Sequence, residues 1–176
     1  MLCKGKGSYV DINGKEFYLK GKFIFPDMEF QRLNCKGKFK FVRLKSDDVK
    51  LKGEIEGEQL VGTEIFLHGK VKLKGLNGEN IMLKLCGDNT IFEIECKKLL
   101  VCVENPEEDI GIIKDLFNIN LKRNIDEKET KITIDKIIAD DVDIDGCDVR
   151  EIVCRNIKAR NCTISRLEYT DTCDII

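Results

Sequence analysis

The chain has 176 residues, is 42% hydrophobic and carries a formal net charge of −2: enough length for one domain or one short repeat array, and enough apolar content to bury a core. The near-neutral balance selects no partner through total charge, no run approaches the ~18 apolar residues of a membrane-spanning helix, and residues 1–7 lack the apolar stretch of a signal peptide. The nine cysteines are odd in number and include no pair spaced Cys-x-x-Cys, which fits a reducing cytoplasm and argues against a disulfide framework or a zinc knuckle.

The repeat starts with the first residues. Gly5, Gly21, Gly37, Gly53 and Gly69 stand 16 residues apart. Two positions before them come Cys3, Leu19, Cys35, Leu51 and Leu67, and four before come Met1, Phe17, Leu33, Val49 and Ile65; Ile81 and Leu83 extend both columns. Two positions after the glycines stand Gly7, Phe23, Phe39, Ile55 and Val71, and seven after stand Ile12, Met28, Leu44, Leu60 and Leu76. Within each unit apolar and polar residues alternate, as in Phe17-Tyr18-Leu19-Lys20, which is the period of a strand with one buried face. A constant register between units means that each inward residue stacks on its equivalent, so the chain winds in one direction. The expected fold is all-β, a single-stranded parallel β-solenoid of 15–16-residue coils, about ten or eleven of them at a strand spacing of ~4.8 Å. The glycines mark corners that need positive φ or close backbone approach.

Flanking the glycines, Lys4, Lys20, Lys36, Lys52 and His68 precede them, and Lys6, Lys22, Lys38, Glu54 and Lys70 follow. Stacking aligns these into two lysine ladders, whose like charges repel by roughly 0.9 kcal/mol per rung in bulk water before screening. A solvated edge is the plain reading, since lysines also discourage lateral strand pairing; an anionic docking stripe is the functional one. Alternation places His68 outward, as a surface residue.

The regular coils span 1–85, and 86–131 is irregular. Leu99–Val103 and Phe117–Leu121 have the pattern of strands. Asn105-Pro106-Glu107-Glu108-Asp109 is a helix start, with a cap residue, Pro in the first turn and acids at the positive end of the dipole; Ile110, Ile113, Leu116 and Phe117 follow at helical spacing. A short inserted helix is expected near 106–116. From 132 to 176 the repeat resumes at 15 residues: Ile134, Val149 and Ile164 form one column, Ile137, Ile152 and Leu167 another, Val142 pairs with Ile157, and Cys147 with Cys162. The whole is one solenoid domain over 1–176.

Ile138-Ala139-Asp140-Asp141-Val142-Asp143-Ile144 and Asn161-Cys162-Thr163-Ile164-Ser165-Arg166-Leu167-Glu168-Tyr169 resemble segments of the bactofilin-like, polymer-forming cytoskeletal proteins of Gram-positive bacteria. Ala139 stands where that pattern has Gly, and Val153-Cys154 where it has Arg-Gly. The resemblance implies a right-handed β-helix that polymerises without nucleotide, with like ends meeting.

Catalytic constellations are scarce. A histidine-dependent acyltransferase helix would show a six-residue repeat, which neither 16 nor 15 accommodates. Asp141, Asp143 and Asp145 alternate outward as a solvated face, with a weak hard-cation site as the sharper option. The cysteines of the inward columns read as small hydrophobes. No enzyme activity, cofactor or metal is expected. Residues 1–75 carry 16 Lys/Arg against 10 Asp/Glu and residues 76–176 carry 14 against 22, so a solenoid, in which sequence order is spatial order, is an electric dipole. The expected function is a cytoplasmic scaffold that self-assembles end to end through Met1, Cys3, Ile164, Leu167 and Tyr169. The alternative is a monomeric binding module that docks a membrane surface or an acidic protein through Lys4, Lys6, Lys20, Lys22, Lys36, Lys38, Lys52 and Lys70. Nucleic acid is not the expected partner.

Overall fold

In the computed structural model, which describes residues 2–8, 12–103 and 130–176, every regular element is a strand. They are β1 (Leu2–Ser8), β2 (Ile12–Leu85), β3 (Asp88–Val103), β4 (Lys131–Asp145), β5 (Cys147–Arg160) and β6 (Thr163–Ile175). All pair in parallel, in sequence order, in one sheet. β2 has 74 residues; laid straight it would extend on the order of 240 Å. It is instead wound, and the sheet is a parallel β-solenoid of about eight turns. In that sheet β3 and β4 are direct neighbours. The helix expected near 106–116 and the strand expected at Phe117–Leu121 lie outside the described residues. Among the described residues no helix is long and apolar enough to cross a membrane.

The register follows the sequence period. Gly5 pairs with Gly21, an offset of 16. β2 meets β3 at an offset of 18, as in Leu73 with Ile91. β5 follows β4 at 15, as in Ile134 with Val149. β6 follows β5 at 15 up to Cys154 with Tyr169 and, past an irregularity, at 16 from Asn156 with Thr172.

Alternation puts the same residues inside at every turn. One buried ladder runs Leu33, Val49, Ile65, Ile81, Leu99, Val142, Ile157, and a second Cys35, Leu51, Leu67, Leu83, Val101, Ile144, Ala159. A third runs Met28, Leu44, Leu60, Leu76, Ile94, Ile137, Ile152. Each buried Leu or Ile contributes ~1.5–3 kcal/mol relative to exposure, and only the stack lets it be buried, because no single coil encloses its own inner face.

The corner glycines have the conformation that the spacing predicts. Gly21, Gly37, Gly53 and Gly69 have φ of 145°, 141°, 128° and 121°. A Cβ on Gly37 would collide with the carbonyl oxygen of Gly21, and one on Gly53 with that of Gly37. Both the dihedral and the backbone approach therefore exclude a side chain. Gly57 leaves room of another kind: the ring of Phe41, one coil earlier, fills the place its Cβ would take.

Candidate functional site

The lysine corner is built by the glycine column. Lys4 pairs with Lys20 and Lys6 with Lys22 along the backbone, and the side chains of Lys22, Lys36, Lys38, Lys52 and Lys70 are exposed. Side-chain placement at Lys4, Lys6 and Lys20 lies outside the description. The ladder after the glycines is interrupted at Glu54, which Lys38 meets at 2.5 Å. The hydrogen bond from Lys38 holds the Glu54 carboxyl below its ordinary value; slight burial opposes this, and the charges of Lys38, Lys70 and Lys22 add to it.

His68 departs from the expectation. It is 7% exposed rather than solvated, and packs edge-on against Phe66 with ring centroids 6.2 Å apart. The cause is the change in coil length. The next coil carries two extra residues, and Cys86-Gly87 lies over this corner: Cys86 N–H donates to Gly69 O at 3.1 Å, and Gly87 stands against the Lys70 side chain. The buried Asn89 fastens the extra turn, accepting from Val71 N–H at 2.8 Å and donating to Gly87 O at 2.7 Å. The first lysine ladder therefore ends at Lys52.

Outward charges elsewhere pair across coils. Glu29–Lys45, Lys40–Glu56 and Glu58–Lys74 bridge neighbouring turns at 2.8, 2.8 and 2.7 Å, and Arg150 grips Asp135 through two nitrogens. The three aspartates considered for a cation are committed in the same manner. Asp141 accepts from Asn156 at 2.8 Å, Asp143 from Arg160 at 2.9 Å and Asp145 from Asn161 at 3.0 Å. Among the described residues no group of three or more His, Cys, Asp or Glu side chains could hold a metal ion.

β6 is the last strand of the sheet. Ile164 and Leu167 continue inward columns but are only partly buried, and Tyr169, Ile175 and Ile176 are 50%, 51% and 79% exposed. Hydrogen bonds from Asn161 N–H to Ile176 O and from Ile176 N–H to Ala159 O close this coil. At the opposite end Cys3 pairs with Leu19 along the backbone, and Met1 lies outside the described residues.

One feature was not singled out in the sequence, and a second was read there only as core. A shallow outward groove of about 480 Å³ is lined by Phe66, Met82 and Leu100 among polar neighbours. The signal was present: each of these residues directly follows an inward one, Ile65, Ile81 or Leu99. The second feature is the cysteine pair at the β4–β5 and β5–β6 turns. Burial pushes Cys96 up to about 12 and Cys154 to about 11. Cys162 is shifted the opposite way, below its ordinary value, chiefly by its interaction with the Cys147 thiol, with burial opposing. Cys147 is raised by that same interaction and by burial.

Comparison with family models, curated proteins and solved structures finds no match.

Proposed function

We propose that the chain is a structural scaffold that stacks end to end, with a second copy as its partner, into nucleotide-independent polymers in the cytoplasm. The observation that carries this reading is the outer edge of β6, which among the described residues has no strand paired to it and lies beside partly exposed Ile164, Leu167 and Tyr169. Such an edge is a template for another parallel coil. A solenoid extends by adding coils, so a second copy continues both the backbone ladder and the apolar columns. The resemblance of 138–144 and 161–169 to the bactofilin-like proteins supports the same reading.

The charge division favours a basic end meeting an acidic end. That contact is heterologous and does not close, so it produces filaments. The resemblance favours like ends meeting instead. Negative-stain electron microscopy distinguishes the two through labels placed at one terminus: regular single spacing indicates head-to-tail order, and paired labels indicate like ends. Absence of rods longer than one molecule at high concentration would defeat the scaffold reading.

A specific observation favours a second reading. Lys22, Lys36, Lys52 and Lys70 project from one corner of the stack, so a monomer could dock an anionic membrane surface or an acidic protein by this stripe. Salt-sensitive retention by anionic vesicles without self-association would favour that module over the scaffold.

A further inference from the structure

Cys147 and Cys162 occupy the same place in successive coils. Each follows a residue in the left-handed region, Gly146 at φ 68° and Asn161 at φ 51°. The turns are stacked: Asp145 is in register with Arg160, and Gly146 N–H donates to Arg160 O at 3.0 Å. Each thiol lies on the carbonyl two residues before it, Cys147 Sγ on Asp145 O at 3.4 Å and Cys162 Sγ on Arg160 O at 3.0 Å. Cys162 Sγ also reaches Ile144 O, in the coil that carries Cys147's turn, at 3.7 Å.

Among the described residues no other two cysteines are placed in this way. Cys154 faces Tyr169 and Cys96 faces Ala139 in the neighbouring strands, while Cys173 is in register with Ile157. In-register parallel strands place equivalent Cα atoms ~4.8 Å apart, inside the roughly 4.4–6.8 Å that a disulfide spans. The Cα spacing of the pair thus lies in the range a disulfide spans, and closure needs only a local approach of the two Cβ atoms.

We propose that Cys147 and Cys162 are an oxidisable thiol pair, closed to a disulfide by a hydroperoxide such as hydrogen peroxide and reopened by a dithiol reductant. Cys162 is the attacking member, because it is partly exposed while Cys147 is 1% exposed. Its thiolate sulfur displaces hydroxide from the peroxide, breaking the O–O bond and leaving a sulfenic acid; the hydroxide takes up the proton released by the thiol and leaves as water. The Cys147 sulfur then attacks the sulfenic sulfur, breaking its S–O bond, and its own proton leaves with the displaced hydroxide as a second water. The pair gives up two electrons and the peroxide accepts two. The bond ties β6 to the turn that opens β5. This inference goes beyond the scaffold reading and does not rest on it.

The test uses the full chain, reduced, freed of reductant and treated with an equivalent of hydrogen peroxide. Remaining thiols are alkylated and the protein is digested with trypsin without reduction. The three relevant cysteines fall in separate tryptic peptides, Cys147 in 137–150, Cys154 in 151–155 and Cys162 in 161–166. The expected product is peptide 137–150 cross-linked to 161–166 and released by dithiothreitol. Iodoacetamide at neutral pH is expected to label Cys162 at least about tenfold faster than Cys96 or Cys154. In Cys147→Ser, dimedone is expected to trap Cys162 as the sulfenic acid. If peroxide leaves both thiols alkylatable, or the cross-link falls on another pair, the proposal is overturned. Mapping of the wild-type protein decides this even if the serine variant fails to fold.

Discussion

Replacing Gly53 with Ala tests the corner column more sharply than any core truncation. The residue sits at φ 128°, where side-chain-bearing residues are strained, at a cost of about 1–3 kcal/mol. The added Cβ would also overlap the Gly37 carbonyl oxygen of the preceding coil. Backbone cannot rotate away as a side chain would, so the two coils must separate locally and loosen one or two ladder hydrogen bonds, at ~1 kcal/mol each. The total is on the order of 2–5 kcal/mol, a large part of the ~5–15 kcal/mol that holds a domain folded. For a chain of this size it lowers the thermal midpoint by roughly 4–20 °C. Thermal unfolding followed by circular dichroism measures this, with exposed Lys52→Ala as the control that shifts by no more than ~0.5 kcal/mol. A Gly53→Ala protein that melts with the wild type would refute the stacked-corner geometry.

Leu51 is 1% exposed between Cys35 and Leu67, so Leu51→Asp buries an unpaired carboxylate and should cost several kcal/mol, about 3 or more, in urea unfolding; an unchanged midpoint would break the assigned register. Replacing Lys22, Lys36, Lys52 and Lys70 with Gln should leave the circular dichroism spectrum intact and abolish low-salt retention on anionic vesicles; retention equal to wild type would remove the stripe as a docking surface. Glu54 is held below its ordinary value by Lys38, and Glu29 by Lys45. A depressed carboxyl stabilises the fold above its unfolded value and loses that contribution as pH falls through its folded value, so unfolding midpoints should decline from about pH 4 downward. Midpoints that rise on acidification through that range would contradict the sign.

The inward columns were legible because two periods coincide. Alternation fixes which face of each strand is buried, and a spacing of 16 fixes what lies above it, so Leu33, Leu51 and Leu60 could be placed from the sequence and are buried. His68 was misplaced because alternation describes a coil in isolation, whereas its burial comes from a longer neighbour. Cys86-Gly87-Asp88-Asn89, between Leu83 and Ile91, was the visible mark of that extra length. The lysine ladders were readable as rungs, but the ion pair that turns Lys38 toward Glu54 depends on side-chain placement. Asp141, Asp143 and Asp145 look available for a cation until the 15-residue register brings Asn156 beside Asp141 and sets Arg160 opposite Asp145, from where its side chain reaches Asp143. Cys147 and Cys162 were placed in one column as core hydrophobes; the partial exposure of Cys162 follows from β6 being the outermost strand of the sheet.

Sedimentation velocity of the wild-type chain across a wide concentration range, alongside Tyr169→Asp, tests end-to-end assembly most directly. Tyr169 is 50% exposed on the β6 edge, so the substitution places charge at the proposed contact without entering the core. The scaffold reading predicts that the wild-type sedimentation coefficient rises with concentration while the variant remains a folded monomer. A wild-type protein that sediments as one monomeric species throughout, at moderate salt, would contradict it.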